Sequence, residues 1–108
     1  MDVKTIAVIG AGTMGRGIAY AGALGGFRTV MEDLSDAVLG DALGWMAEAF
    51  EEGVNRGKVD VVERDAAMKR ITTSRSVEEA IRDAELVIEA VDKDWSILVK
   101  KHHRWAGI

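Results

Sequence analysis

Lys4-Thr-Ile-Ala-Val-Ile9 runs without a break into Gly10-Ala11-Gly12-Thr13-Met14-Gly15. The first half is a short apolar strand and the second a glycine turn. A small-residue helix follows from about Met14 to Leu24, with Ile18, Ala21 and Leu24 on one side, and Gly25-Gly26 stops it. A GxGxxG string becomes informative when it follows a strand, opens a helix and has an acid about 20 residues further on. Asp33 lies 18 residues beyond Gly15, at the end of a second strand read from Phe27 to Glu32. In such a unit Gly10 permits the tight turn, Gly12 lets a pyrophosphate approach the backbone, and Gly15 lets helix and strand pack closely. The helix N-terminus offers N–H groups and a positive dipole end to the phosphates. Asp33 can accept hydrogen bonds from an adenosine ribose. The plainer alternative is a glycine-rich turn in an α/β domain, and the three context features together speak against it.

Outward from this unit, strands alternate with helices. Ser35 with Asp36 starts a helix carrying Val38, Ala42, Trp45, Met46, Ala49 and Phe50 at helical spacing. Asp60 with Glu63 marks a second helix start, running to about Lys69. Ile71-Thr72-Thr73 is a third strand, Ser76 to Glu79 opens a two-turn helix, and Leu86-Val-Ile-Glu-Ala-Val91 is a fourth strand. Its nearly unbroken apolar run suits a parallel strand covered on both faces. The expectation is an α/β fold: a partial Rossmann-type, doubly wound parallel sheet of about four strands in the order 3-2-1-4, with a helical hairpin between strands 2 and 3. Beyond Asp92 the pattern weakens. Trp95, Ile97, Leu98 and Val99 are compatible with one further helix, and strand four would be left as a sheet edge inviting a second copy.

Composition bounds the rest. The 108 residues suffice for one domain. No apolar run reaches the roughly 18 residues of a membrane span, and the start lacks the features of a signal peptide. With no cysteine, disulfides, thiolate metal sites and cysteine nucleophiles are excluded; that fits the cytosol. A net charge of −4 argues against a general nucleic-acid binder. Twelve glycines and no proline are unusual counts, and four of the glycines fall within the first seventeen residues.

Ile6 to Gly15, the following Gly17-Ile18-Ala19, and Leu86 to Val91 resemble the NAD-binding domain of the 3-hydroxyacyl-CoA dehydrogenases. The two-helix excursion between Asp33 and Ile71 fits the same family. The resemblance covers about residues 3 to 91 and implies NAD as cofactor and an L-3-hydroxyacyl-CoA as substrate. Gly10, Ala11, Gly12, Thr13, Met14 and Gly15 would hold the pyrophosphate and Asp33 the ribose. Asp33, with no basic residue beside it in Met31 to Ser35, points to NAD over NADP. Glu32 is the rival ribose ligand, read here as a solvent-facing strand residue. The helical excursion lies near CoA in the family. Arg56 and Lys58 are therefore candidate CoA-phosphate contacts, against the plainer reading of a solvated basic turn.

The sequence then departs from the family. Val91-Asp92-Lys93-Asp94-Trp95 replaces the family's Val-Pro-Glu, with Lys93 at the glutamate position. The family's serine, histidine–glutamate pair and asparagine have no counterpart, so no catalytic residue and no metal ligand is assigned. His102 and His103 read as a surface tail, Trp45, Met46 and Phe50 as core, Ser35, Ser74 and Ser76 as caps or turns, and Glu89 as structural or pocket-lining. Residues 1–108 read as one incomplete NAD-binding domain whose tail, 92–108, diverges. Two other readings stand beside it: a stand-alone NAD-binding or interaction module, and a fragment of another β-hydroxyacid-type dehydrogenase.

Overall fold

The computed structural model describes residues 2–91, 94–101 and 104–107. In chain order the elements are β1 (Thr5–Ile9), α1 (Thr13–Leu24), β2 (Arg28–Glu32), α2 (Asp36–Asn55), α3 (Val61–Lys69), β3 (Ile71–Ser74), α4 (Val77–Ile81), β4 (Leu86–Val91), β5 (Asp94–Lys101) and β6 (Arg104–Gly107). The helix starts follow local chemistry. The Ser35 hydroxyl accepts from the Val38 N–H at 3.2 Å. Asp60 and Glu63 form a reciprocal capping box, and the Ser76 hydroxyl accepts from the Glu79 N–H at 3.2 Å.

The strands form one mixed sheet in the order β3-β2-β1-β4-β5-β6. The first four are parallel; β5 and β6 join antiparallel. Because side chains alternate along a strand, β1 sends Val8 to one face and Ala7 to the other. Val8 and Met31 meet Ala19 of α1 and Leu39, Ala42 and Met46 of α2. Ala7 and Val87 meet Ala80 of α4 and Ala84. Phe50, Ala23 and Ala67 knit α1, α2 and α3 together. Met46 and Phe50 are fully buried, and Trp45 packs edge-on against Tyr20 with ring centres 6.0 Å apart.

The sheet has six strands where about four were expected, and Trp95 to Val99 lie in a strand, not a helix. The cause is non-local. β5 pairs with β4 from Leu86 opposite Val99 to Val91 opposite Asp94, so the edge expected on β4 is covered within one chain. Leu98 and Trp105 pack on the cluster of Ala7, Ala80, Ala84 and Val87. That burial favours the extended form of a run whose own pattern is ambiguous. Leu98→Asp is therefore expected to release β5 and β6 from β4. Loss of this half-buried contact should cost about 2 kcal/mol, read as a lower midpoint in urea unfolding together with rising light scattering. An unchanged midpoint would show that the tail contributes nothing to the core.

Candidate functional site

β1 and β2 end side by side, with Ile9 opposite Glu32, and the chain leaves β1 through Gly10. The Gly10 N–H donates to the Glu32 carbonyl at 2.8 Å. Gly10 has φ of 99°, a region open to glycine and strained for other residues. A Cβ at Gly10 would overlap the Ala90 carbonyl oxygen, and one at Gly15 would overlap the Gly10 carbonyl oxygen. The turn is thus pressed between β4 and its own helix. Gly12 differs: a Cβ there would meet nothing within 4 Å.

Gly12 is the N-cap of α1, and no side chain caps the helix. The first intrahelical bond runs from the Arg16 N–H to the Gly12 carbonyl at 2.9 Å. The first-turn N–H groups before it have no partner inside the helix, and no acidic side chain occupies that turn. A bare helix start with open space before it is the donor set an anionic phosphate requires.

Asp33 ties this start to the next helix. One carboxylate oxygen accepts from the Ala11 N–H at 3.1 Å and the other from the Ser35 N–H at 3.0 Å. Its own N–H donates to the Ser74 carbonyl at 3.2 Å. A cleft of about 1320 Å³ opens over these groups, with Gly10, Gly12, Thr13, Met14, Glu32 and Asp33 in its lining. Ile9, Leu34, Val38, Val77 and Ala90 supply apolar wall, and Asp94 of β5 adds a further acid. The cleft therefore joins a phosphate-sized gap at a helix start to an apolar recess with a carboxylate between them. That shape and chemistry fit a dinucleotide. Ala11 is buried beneath the turn and presents its N–H to Asp33.

Two acids differ from their sequence reading. Glu32, expected to face solvent, is only 4% exposed and lines the cleft. It closes a strand flanked on both sides, with Ile9 and the buried Ser74 as its neighbours on the same face. Burial pushes its carboxyl above the ordinary glutamate value, the neighbouring Asp33 charge adds to this, and the Gly10 N–H opposes it. Glu89, read as structural or pocket-lining, is exposed and does not line the cleft. Its nearest partner is the Ser96 hydroxyl at 3.5 Å.

Arg56 and Lys58 sit on the turn after α2, exposed, and neither lines the cleft. Arg56 pairs with Glu52 at 2.6 Å. Sequence reading missed Arg75, which follows β3 and reaches back to the Leu34 carbonyl at 3.1 Å and Asp36 at 3.4 Å. Only the parallel pairing of β2 with β3 brings it there. Ser35 and Ser76 are caps, and the Ser74 hydroxyl is used by the Ser76 backbone. Lys93, His102 and His103 lie outside the described residues. Among the described residues no group of His, Asp and Glu could hold a metal ion, and no helix is long and apolar enough to cross a membrane.

Residues 5–104 match the family model described as the NAD-binding domain of 3-hydroxyacyl-CoA dehydrogenase. The fatty acid oxidation complex subunit alpha of Idiomarina loihiensis is 37% identical over 90 residues, which are 83% of this chain and 12% of that protein. The 3-hydroxybutyryl-CoA dehydrogenase of Mycobacterium tuberculosis is 32% identical over 95 residues, 88% of this chain and 33% of that protein. Among solved structures, 3-hydroxybutyryl-CoA dehydrogenase from Escherichia coli K12 superposes with a TM-score of 0.81 at 34% identity, covering 87% of this chain and 20% of that one. The chain spans between 12% and 33% of the length of these curated relatives.

Proposed function

This chain belongs to the 3-hydroxyacyl-CoA dehydrogenase family as its NAD-binding domain, and on that premise we propose how it holds the cofactor and what it serves. The pyrophosphate lies over Gly10, Ala11, Gly12, Thr13, Met14 and Gly15, against the uncapped N–H groups of α1. The adenosine ribose hydroxyls bond to Asp33, whose two oxygens are already oriented by the Ala11 and Ser35 N–H groups. The apolar recess beyond takes the adenine. The bare start of α1 with open space at Gly12 carries this reading. Bound NAD would supply the hydride acceptor; the protein's own part at this site is to grip and orient the nucleotide.

The larger protein would oxidise the 3-hydroxyl of an acyl-CoA, as the names of its relatives indicate for them. Arg56 and Lys58 are the candidate contacts for CoA phosphates. Residues 1–108 act as one unit, with β5 and β6 of the tail extending the sheet. A cytoplasmic location and a homo-oligomer complete the reading. With β4 covered, the surface for a second copy is the outer edge of β6 and the exposed Trp95 on β5.

The test is nucleotide choice. The 2′-phosphate of NADPH would meet Asp33, with Glu32 beside it. Like charges about 4 Å apart cost about 1 kcal/mol in water and about 4 kcal/mol where screening is weaker. Arg75, the cation at this corner, is already shared by Leu34 and Asp36. Calorimetric titration should show NADH binding more tightly than NADPH, with Asp33→Ala narrowing the gap. Equal affinities, or an undiminished preference in the variant, would remove the assignment of Asp33.

A further inference from the structure

We propose that Glu32 makes nucleotide binding in this cleft depend on pH, admitting the dinucleotide as the neutral acid and opposing it as the carboxylate. The inference rests on the nucleotide reading above. Glu32 and Asp33 are consecutive but have different surroundings. Asp33 is held by two backbone N–H groups. Glu32 is only 4% exposed while still lining the cleft, and among the described residues no cation pairs with it.

Asp33 is the charged group that acts on its carboxyl directly, and the other charged groups on the elements around it lie further off. β1 presents Ile9 and β3 presents Ser74 beside it. Arg75, just beyond β3, is exposed and lies 3.4 Å from Asp36. The first turn of α4 carries Glu78 and Glu79. Glu89 shares its sheet face one strand beyond Ile9, and Asp94 stands in the cleft lining. Burial and Asp33 already favour the protonated carboxyl. A ligand bringing pyrophosphate charge into the same cleft favours it further. Binding is then linked to proton uptake. Affinity is high where Glu32 is neutral and falls as pH rises through its titration, above the ordinary glutamate value of 4.5.

NADH binding followed by its fluorescence from pH 5 to 8 tests this on the whole chain. The dissociation constant should rise roughly fivefold across that range, the scale of one like-charge contact of about 1 kcal/mol screened as in water. In Glu32→Gln it should stay flat and low. Calorimetry of the unaltered chain in two buffers of different ionisation enthalpy should show net proton uptake over the pH span in which the affinity falls, a measurement that needs no variant to fold. A flat profile without proton uptake, or the same slope in Glu32→Gln, overturns the role of Glu32. No NADH binding at any pH, by chains that still melt cooperatively, removes the nucleotide reading itself and this inference with it.

Discussion

Gly15→Ala is expected to be strongly destabilised, whereas Gly12→Ala should fold normally and bind the nucleotide at least about tenfold more weakly. Both replace a glycine in one six-residue turn with a methyl group, and only their surroundings differ. At Gly15 the new Cβ would overlap the Gly10 carbonyl oxygen and approach the Val8 side chain. The obstacle is backbone, which cannot rotate aside as a flexible side chain can. Gly10 cannot retreat either, because its own Cβ position is filled by the Ala90 carbonyl. Relief requires α1 to lift from β1, opening the cluster of Val8, Ala19 and Met31. Overpacking of this sort costs about 3 kcal/mol or more, against about 5–15 kcal/mol of total stability. For a domain of this size that lowers the melting temperature by about 15 °C. At Gly12, φ is −72° and the space ahead is empty, so alanine fits without strain. Its methyl group would stand where a phosphate must approach the N–H groups, and NADH affinity should fall at least about tenfold, the loss of one charge-assisted hydrogen bond. Melting curves and NADH titrations of the two variants check this. Native-like melting of Gly15→Ala, or unfolding of Gly12→Ala, would mean that the turn is not packed as described.

The glycine turn was legible because its determinants are local: an apolar run, three glycines at fixed offsets and an acid at the next strand end. The caps at Ser35, Asp60 and Ser76 were legible for the same reason, each being satisfied within three residues. The tail was not. Trp95, Ile97, Leu98 and Val99 suit a helix or a strand, and the choice is made by the open flank of β4 and by Leu98 reaching Ala80 and Ala84. The two strand glutamates make the same point. Glu32 and Glu89 both sit beside Ile9 on one sheet face. Period-two alternation assigns them that shared face and nothing more. Both are flanked by strands on either side; Glu32 has the buried Ser74 as its outer neighbour, whereas Glu89 has the exposed Ser96 and is itself exposed. Arg75 was invisible for a related reason, since its approach to Leu34 depends on the register of β2 against β3.

The purified chain should bind NADH yet produce none from NAD and 3-hydroxybutyryl-CoA at an enzymatic rate. Hydride can leave an alcohol carbon only as the hydroxyl proton is taken by a base within hydrogen-bond reach. The described cleft offers three carboxyl side chains and no histidine. Asp33 is held by the Ala11 and Ser35 N–H groups and, in this reading, occupied by the ribose hydroxyls. Glu32 is only 4% exposed and sits beside Asp33, where the ribose is assigned. Asp94 opens β5 at the cleft wall, where nothing described orients it toward a substrate. A positioned base contributes about 10²–10⁴-fold, and holding the alcohol against the nicotinamide contributes more than that in favourable cases. With neither supplied here, turnover should fall below about 10⁻³ s⁻¹, against about 1–10³ s⁻¹ for ordinary enzymes. Absorbance at the NADH band, followed over hours at micromolar protein, is sensitive enough to decide. Sustained turnover lost in Asp94→Ala would make that side chain the base. Turnover lost in His102→Ala or His103→Ala would place the chemistry in the tail, and the domain would then be a complete catalyst where a cofactor-holding part is expected.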